Sequence, residues 1–103
     1  MTNTKSFHKK NYMEVNGRLV RDPKKVEIKS DKSKSLFTLA LEEGGYVDYP
    51  SFVAWGEQAE KILEAKKGEE IFLTGKVKTR KFETEDGTKY TQDLVATSVK
   101  VLR

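Results

Sequence analysis

The sequence predicts an all-β fold, with five antiparallel strands closing into a small barrel and one α-helix between the third and fourth strands. Three observations carry this. Apolar residues recur at a period of two through most of the chain, and a helical period appears only once. The chain has 103 residues, room for one core, and its 36% apolar against 35% charged residues leave that core lean. A small closed barrel suits such a composition better than a wide α/β sheet.

Residues 1–10 are polar and basic without periodicity and read as a mobile arm preceding a single domain over 11–103. The first strand sets Met13, Val15, Gly17 and Leu19 on one face and ends at the Asp22-Pro23 turn. Val26 and Ile28 alternate with charges in a short exposed continuation, and Ser30 to Ser35 reads as a flexible loop. Phe37, Leu39 and Leu41 mark the second strand, closed by Gly44-Gly45. The third spans 46–55, is apolar on both faces near its end, and stops at Gly56. Glu57 to Lys67 carries the one helical stripe (Ala59, Ile62, Leu63, Ala65), with acids early, lysines late and Gly68 as stop. The fourth strand starts at Ile71, Glu85-Asp86-Gly87 turns it, and the fifth runs from about Lys89 to Leu102. Three strands, a helix and two long strands in a hairpin is the order of the oligonucleotide-binding (OB) barrel, a Greek-key fold that takes nucleic acid or oligosaccharide.

Charge narrows the choice. The net charge is +4, but residues 1–35 hold 10 basic and 4 acidic residues, 36–75 hold 3 and 8, and 76–103 hold 7 and 4. Basic ends around an acidic middle favour a polyanionic partner on one surface. In the fourth strand, Ile71, Leu73, Gly75, Val77 and Thr79 share one face. The other reads Phe72, Thr74, Lys76, Lys78, Arg80 and Phe82. A cationic stripe ending in a ring suits a single nucleic-acid strand, cations meeting phosphates and the ring a base. Lysines that deter edge pairing would give the same pattern.

No enzyme is expected. His8 is the sole histidine and there is no cysteine, so neither a catalytic triad nor a His- or Cys-ligated metal centre can be assembled. The Glu42-Glu43 and Glu69-Glu70 pairs point apart or lie in turns, and Gly44-Gly45 lacks the lysine and helix start of a phosphate loop. No cofactor or metal is called for. The lack of cysteine and of any long apolar run fits a soluble, intracellular protein of a reducing compartment.

Several segments together resemble the bacterial-type single-stranded DNA-binding protein family. They are Asn16-Gly17-Arg18-Leu19-Val20-Arg21-Asp22-Pro23, Phe37-Thr38-Leu39-Ala40, Phe52-Val53-Ala54-Trp55-Gly56-Glu57-Gln58-Ala59-Glu60, Lys67-Gly68, Gly75 to Phe82, and Asp86-Gly87 with Tyr90. The resemblance covers about residues 11 to 102, and the order and spacing of the motifs make it specific. It implies non-catalytic binding and protection of single-stranded DNA in replication, recombination and repair.

By the same resemblance Tyr49, Trp55 and Phe82 fall at base-stacking positions, and Arg18, Arg21, Lys76, Lys78, Arg80 and Lys81 at phosphate contacts. Each has a plainer reading: Tyr49 as a rim tyrosine, Trp55 as a cap on the core. Tyr46 and Tyr90 are further rings with weaker placement, Phe37 and Phe52 are assigned to the core, and Lys9 and Lys10 would add non-specific attraction. A homotetramer built as a dimer of dimers is implied, a simple dimer being the alternative, with the first strand pairing its copy. The family's members continue into a linker and an acidic tail that recruits replication partners and competes for the groove. A chain ending Val101-Leu102-Arg103, with no acidic run after Asp93, leads to the expectation that tail-reading partners ignore it and that the groove has no intramolecular competitor. A primosome-type protein-interaction module and an RNA-binding barrel are the alternative functions on the same fold.

Overall fold

The structure, a computed structural model, describes residues 11–28 and 32–103. The arm expected at 1–10 and part of the loop expected at 30–35 lie outside the described residues. Seven strands form in chain order: β1 (Met13–Leu19), β2 (Lys24–Val26), β3 (Lys34–Glu43), β4 (Tyr46–Asp48), β5 (Ser51–Trp55), β6 (Glu70–Thr84) and β7 (Gly87–Leu102). The helix α1 (Gly56–Leu63) lies between β5 and β6. Neighbours run β1-β6-β7-β5-β3, and β3 returns to β1 through Arg18 opposite Ala40 and Leu19 opposite Leu39, closing a five-stranded OB barrel. β2 and β4 are short additions to β3.

One pairing departs from the all-antiparallel expectation. β5 and β7 run parallel, with Val53 opposite Val95 and Ala54 opposite Ala96. The helix between β5 and β6 reverses the chain once before the β6–β7 hairpin reverses it again, so β7 arrives beside β5 in the same sense.

The core is the inward row of each strand. Leu19, Phe37, Leu39, Phe52, Ala54, Ile71, Leu73, Ala96 and Val99 are buried, together with Ala59 and Ile62 of α1. Phe37 and Phe52 stack with ring centres 5.5 Å apart, as their core assignment requires. On β7 the inward residues change parity, from Leu94 and Ala96 to Val99 and Val101, so one extra residue must be absorbed. The register slips there: Thr74 faces Ser98 while Gly75 faces Ala96, leaving Thr97 as a bulge. Gly75 is required at this point. A Cβ on it would stand 2.5 Å from the Val95 carbonyl oxygen.

Three boundaries differ from expectation. The strand expected over 46–55 breaks between β4 and β5, although one register continues through both, because Pro50 has no N–H for the ladder. Its carbonyl still accepts from the Leu39 N–H at 3.1 Å. The helix ends at Leu63 rather than Lys67. Beyond it the Lys66 and Lys67 N–H groups donate to the carboxylates of Glu69 (2.8 Å) and Asp22 (2.7 Å). Residues 33–35 are not a loose loop. The Ser33 carbonyl accepts from Gly56 N–H at 2.8 Å, the Ser33 hydroxyl bonds Glu60, and the buried Ser35 hydroxyl donates to the Ala59 carbonyl at 3.1 Å. Gly56 itself turns from strand into helix at φ +58°, a conformation open to glycine.

Beyond the barrel, β6 and β7 continue as a two-stranded ribbon whose residues from 77 to 90 are all exposed. The Asn11 carboxamide anchors its base, donating to the Val77 carbonyl at 2.6 Å and accepting from the Val77 N–H at 2.8 Å.

Candidate nucleic-acid interface

Residues directly opposite in a ladder share a face, so the registers define the outer surface without further assumption. Lys24 lies opposite Leu36, Leu36 opposite Val53, Val53 opposite Val95, and Val95 opposite Lys76. One row therefore crosses β2, β3, β5, β7 and β6, apolar in its middle and cationic at both ends. Leu36 is 43% exposed, whereas Val53, outside the core cluster, is buried at 6% exposure, so the row is covered at its centre. The apolar character of both faces of β5, evident in the sequence, thus has two causes: Phe52 and Ala54 face the core, Val53 and Trp55 this outer row.

Trp55 is 42% exposed at the edge of this surface, and the Lys34 ammonium lies 4.9 Å from the centre of its ring. A cation over the indole face contributes on the order of 0.5–1 kcal/mol at an exposed site and holds the ring in place. The serine-rich surroundings of Lys34 predict a loop, yet it begins β3. Its place opposite Trp55 comes from the β3–β5 register.

Lys76, Lys78, Arg80 and Phe82 continue the same face along β6, opposite Val95, Asp93, Thr91 and Lys89. Phe82 is 45% exposed. Lys81 lies on the reverse face of the ribbon, opposite Tyr90, which is likewise exposed. The ribbon thus offers a ring and a cation on each side.

Arg80 departs from expectation. Its Nε and Nη2 donate to Asp93 Oδ2 and Oδ1 at 2.7 and 3.3 Å, so a carboxylate of the barrel already occupies it. This carboxylate stands within the stripe itself, on β7. Arg80 and Asp93 lie on adjacent strands, diagonally across a register that spacing along the chain does not reveal.

Arg21 lines a groove of about 510 Å³ together with Lys24, Leu36, Thr38 and Ser51, and so adjoins the row. Thr38, 7% exposed, and Ser51 bond to one another at 2.7 Å in its wall. Tyr49 is exposed just before Ser51, and Tyr46 stands at the β3–β4 turn, 80% exposed. Arg18 lies outside this row, although its partners Ala40 and Glu70 share the outward parity of Leu36 and Lys76. It lies opposite Ala40 and Glu70, in a hollow that Glu42 also lines, and donates to the Gly68 carbonyl at 3.2 Å.

Among the described residues no cluster of His, Cys, Asp or Glu could hold a metal ion, and no helix is long and apolar enough to cross a membrane.

Comparison with known proteins agrees with this geometry. Residues 10–102 match the model of the single-strand binding protein family. The chain is 34% identical to a single-stranded DNA-binding protein of Clostridium tetani, with 84% of this chain and 66% of that protein covered. It is 33% identical to single-stranded DNA-binding protein 1 of Lactococcus lactis, covering 84% and 63%. With single-stranded DNA-binding protein 2 of Clostridium acetobutylicum the identity is 35%, covering 84% and 71%. The chain spans just under two thirds of the length of the first two. A match over nearly the whole barrel, on an OB fold with this outer face, has one conclusion: the chain belongs to the single-strand binding protein family.

Proposed function

We propose that this protein binds single-stranded DNA without catalysis and with little sequence preference, protecting it during replication, recombination or repair. The observation that carries the reading is the continuous outer row from Lys24 to Lys76, with Trp55 at its edge and Phe82 on the ribbon beyond. Exposed rings beside cations on one sheet face suit a strand whose bases are unpaired. A duplex hides its base faces and offers only phosphate. Trp55, Phe82 and Tyr49 stack on bases. Lys76, Lys78 and Arg21 meet phosphates, Arg80 does so in exchange for Asp93, and Lys81 serves the reverse face. Arg18 is a peripheral contact, through the guanidinium N–H groups that Gly68 does not use.

The protein acts as a homo-oligomer in the cytoplasm, at the nucleoid. One edge of β1 pairs with β6 over Met13–Arg18, while the other meets β3 only at Arg18 and Leu19. Among the described residues no strand pairs with that second edge over 13–16, which supports pairing with a copy of itself across a two-fold axis. A dimer of such dimers gives DNA a longer path than one barrel can.

Competition among oligo-dT, oligo-rU and duplex for the protein, followed by anisotropy of a labelled strand, tests the function. Preference for oligo-dT is expected. Equal affinity for duplex refutes it, and preference for oligo-rU moves the assignment to RNA. Light scattering showing only monomer at micromolar concentration refutes the assembly.

A further inference from the structure

We propose that Asp93 is an internal competitor for phosphate at Arg80, so that a carboxylate of the barrel tunes how tightly, and with what salt dependence, the ribbon holds DNA. The inference rests on the single-strand-binding reading and names the residue that sets its strength. The two-point fork from Arg80 to Asp93, at 2.7 and 3.3 Å, is the geometry a phosphate would claim. Asp93 is also directly opposite Lys78 and on the face shared by Lys76 and Phe82. The carboxylate is therefore placed among the cations rather than at their margin.

Its exposure supports this role. The Asp93 side chain is 26% exposed and the Arg80 side chain 66%. The guanidinium is thus open to a ligand on its outer side, while the carboxylate holds it from within the sheet surface. Lys78, Arg80 and Asp93 together carry two positive charges and one negative, so this cluster offers a polyanion the net attraction of one cation. A phosphate at Arg80 must displace Asp93 or share the guanidinium with it, at close like-charge distance. An exposed pair of this kind is weak enough to exchange rather than lock.

Asp93→Asn keeps the side chain's shape and removes its charge. Binding of labelled oligo-dT should tighten about 1.4- to five-fold at about 50 mM salt, the range open to an exposed ion pair. The plot of log K against log salt should steepen by up to about 0.7, because phosphate then meets the whole charge of the Arg80 guanidinium rather than one partly cancelled by Asp93. In an Arg80→Gln background the same substitution should gain markedly less, since no guanidinium is released. Asp93→Ser should reproduce the gain, and circular dichroism melts should show both variants folded. Unchanged or weaker binding by both variants would overturn the proposal and make Asp93 an orienting group for Arg80. An equal gain in the presence and absence of Arg80 would overturn it too, reducing Asp93 to diffuse charge. The wild-type titration separates the two levels: a wild-type chain without affinity for oligo-dT refutes the single-strand reading itself, and with it this inference.

Discussion

Phe82→Ala separates stacking from charge more cleanly than any other change in this molecule. The ring stands on the ribbon beyond the barrel, opposite Lys89 and outside the core cluster, with 45% of its surface exposed. Stacking of a base on such a ring contributes about 1–3 kcal/mol. With part of the ring already covered by its neighbours, the lower half of that range applies. A loss of about 1–2 kcal/mol corresponds to roughly 5- to 30-fold in affinity. The folded state loses only a cross-strand pair of about 0.2–1 kcal/mol, so the melting temperature should fall by a few degrees at most. Trp55 cannot serve as cleanly, because it also precedes α1 as its N-cap and lies under the Lys34 ammonium. The assay is anisotropy of labelled oligo-dT across a salt series, with Lys78→Gln as the charge control. Phe82→Ala should lower every affinity by one factor and leave the slope unchanged. Lys78→Gln should flatten the slope by about 0.7. If the two variants changed the slope alike, the division between ring and cation would be wrong.

Three further outcomes test the scaffold. Gly75→Ala should destabilise the fold by about 1–3 kcal/mol in urea titrations, since its Cβ has no room beside the Val95 carbonyl oxygen at 2.5 Å; wild-type stability would refute that close approach. Ser35→Ala removes the buried hydroxyl that donates to Ala59, and should lower the urea midpoint by the equivalent of about 1 kcal/mol with an unchanged m-value; no shift would mean the bond contributes nothing. The Glu69 carboxyl is held below the ordinary carboxylate range, first by its hydrogen bond from Arg103 and then by the Lys66 N–H. A depressed folded-state value stabilises the fold above the unfolded-state pKa, and that stabilisation fades as pH falls through the folded-state value. Arg103→Gln should therefore flatten the acid limb of melting temperature against pH, and parallel curves for the two proteins would remove the interaction from the account.

Much of the candidate site was legible from the sequence because its signals are local. The face shared by Lys76, Lys78, Arg80 and Phe82 follows from the two-residue period of a strand. The inward change of parity on β7, from Leu94 and Ala96 to Val99 and Val101, is also written in the chain and could have announced the bulge at Thr97. Lys34 was harder to find. Its neighbours Ser33 and Ser35 look like loop residues, and they are held in place by Gly56, Ala59 and Glu60 of a helix that begins more than twenty residues later.

By itself the sequence determined the strand faces, the helix, the hairpin and the order of elements that makes an OB barrel, since each depends on residues a few positions apart. Only the tertiary structure decided which outward residues meet. The row from Lys24 to Lys76 draws on five strands, and the joining of β5 to β7 depends on barrel closure rather than on any local pattern. The Arg80–Asp93 pair depends on the hairpin turning at Glu85 and Asp86, with Thr84 opposite Gly87. Moving the turn by one residue would preserve every local preference and re-pair every cross-strand partner. Side-chain period is set by the backbone, whereas register is set by how the whole core packs.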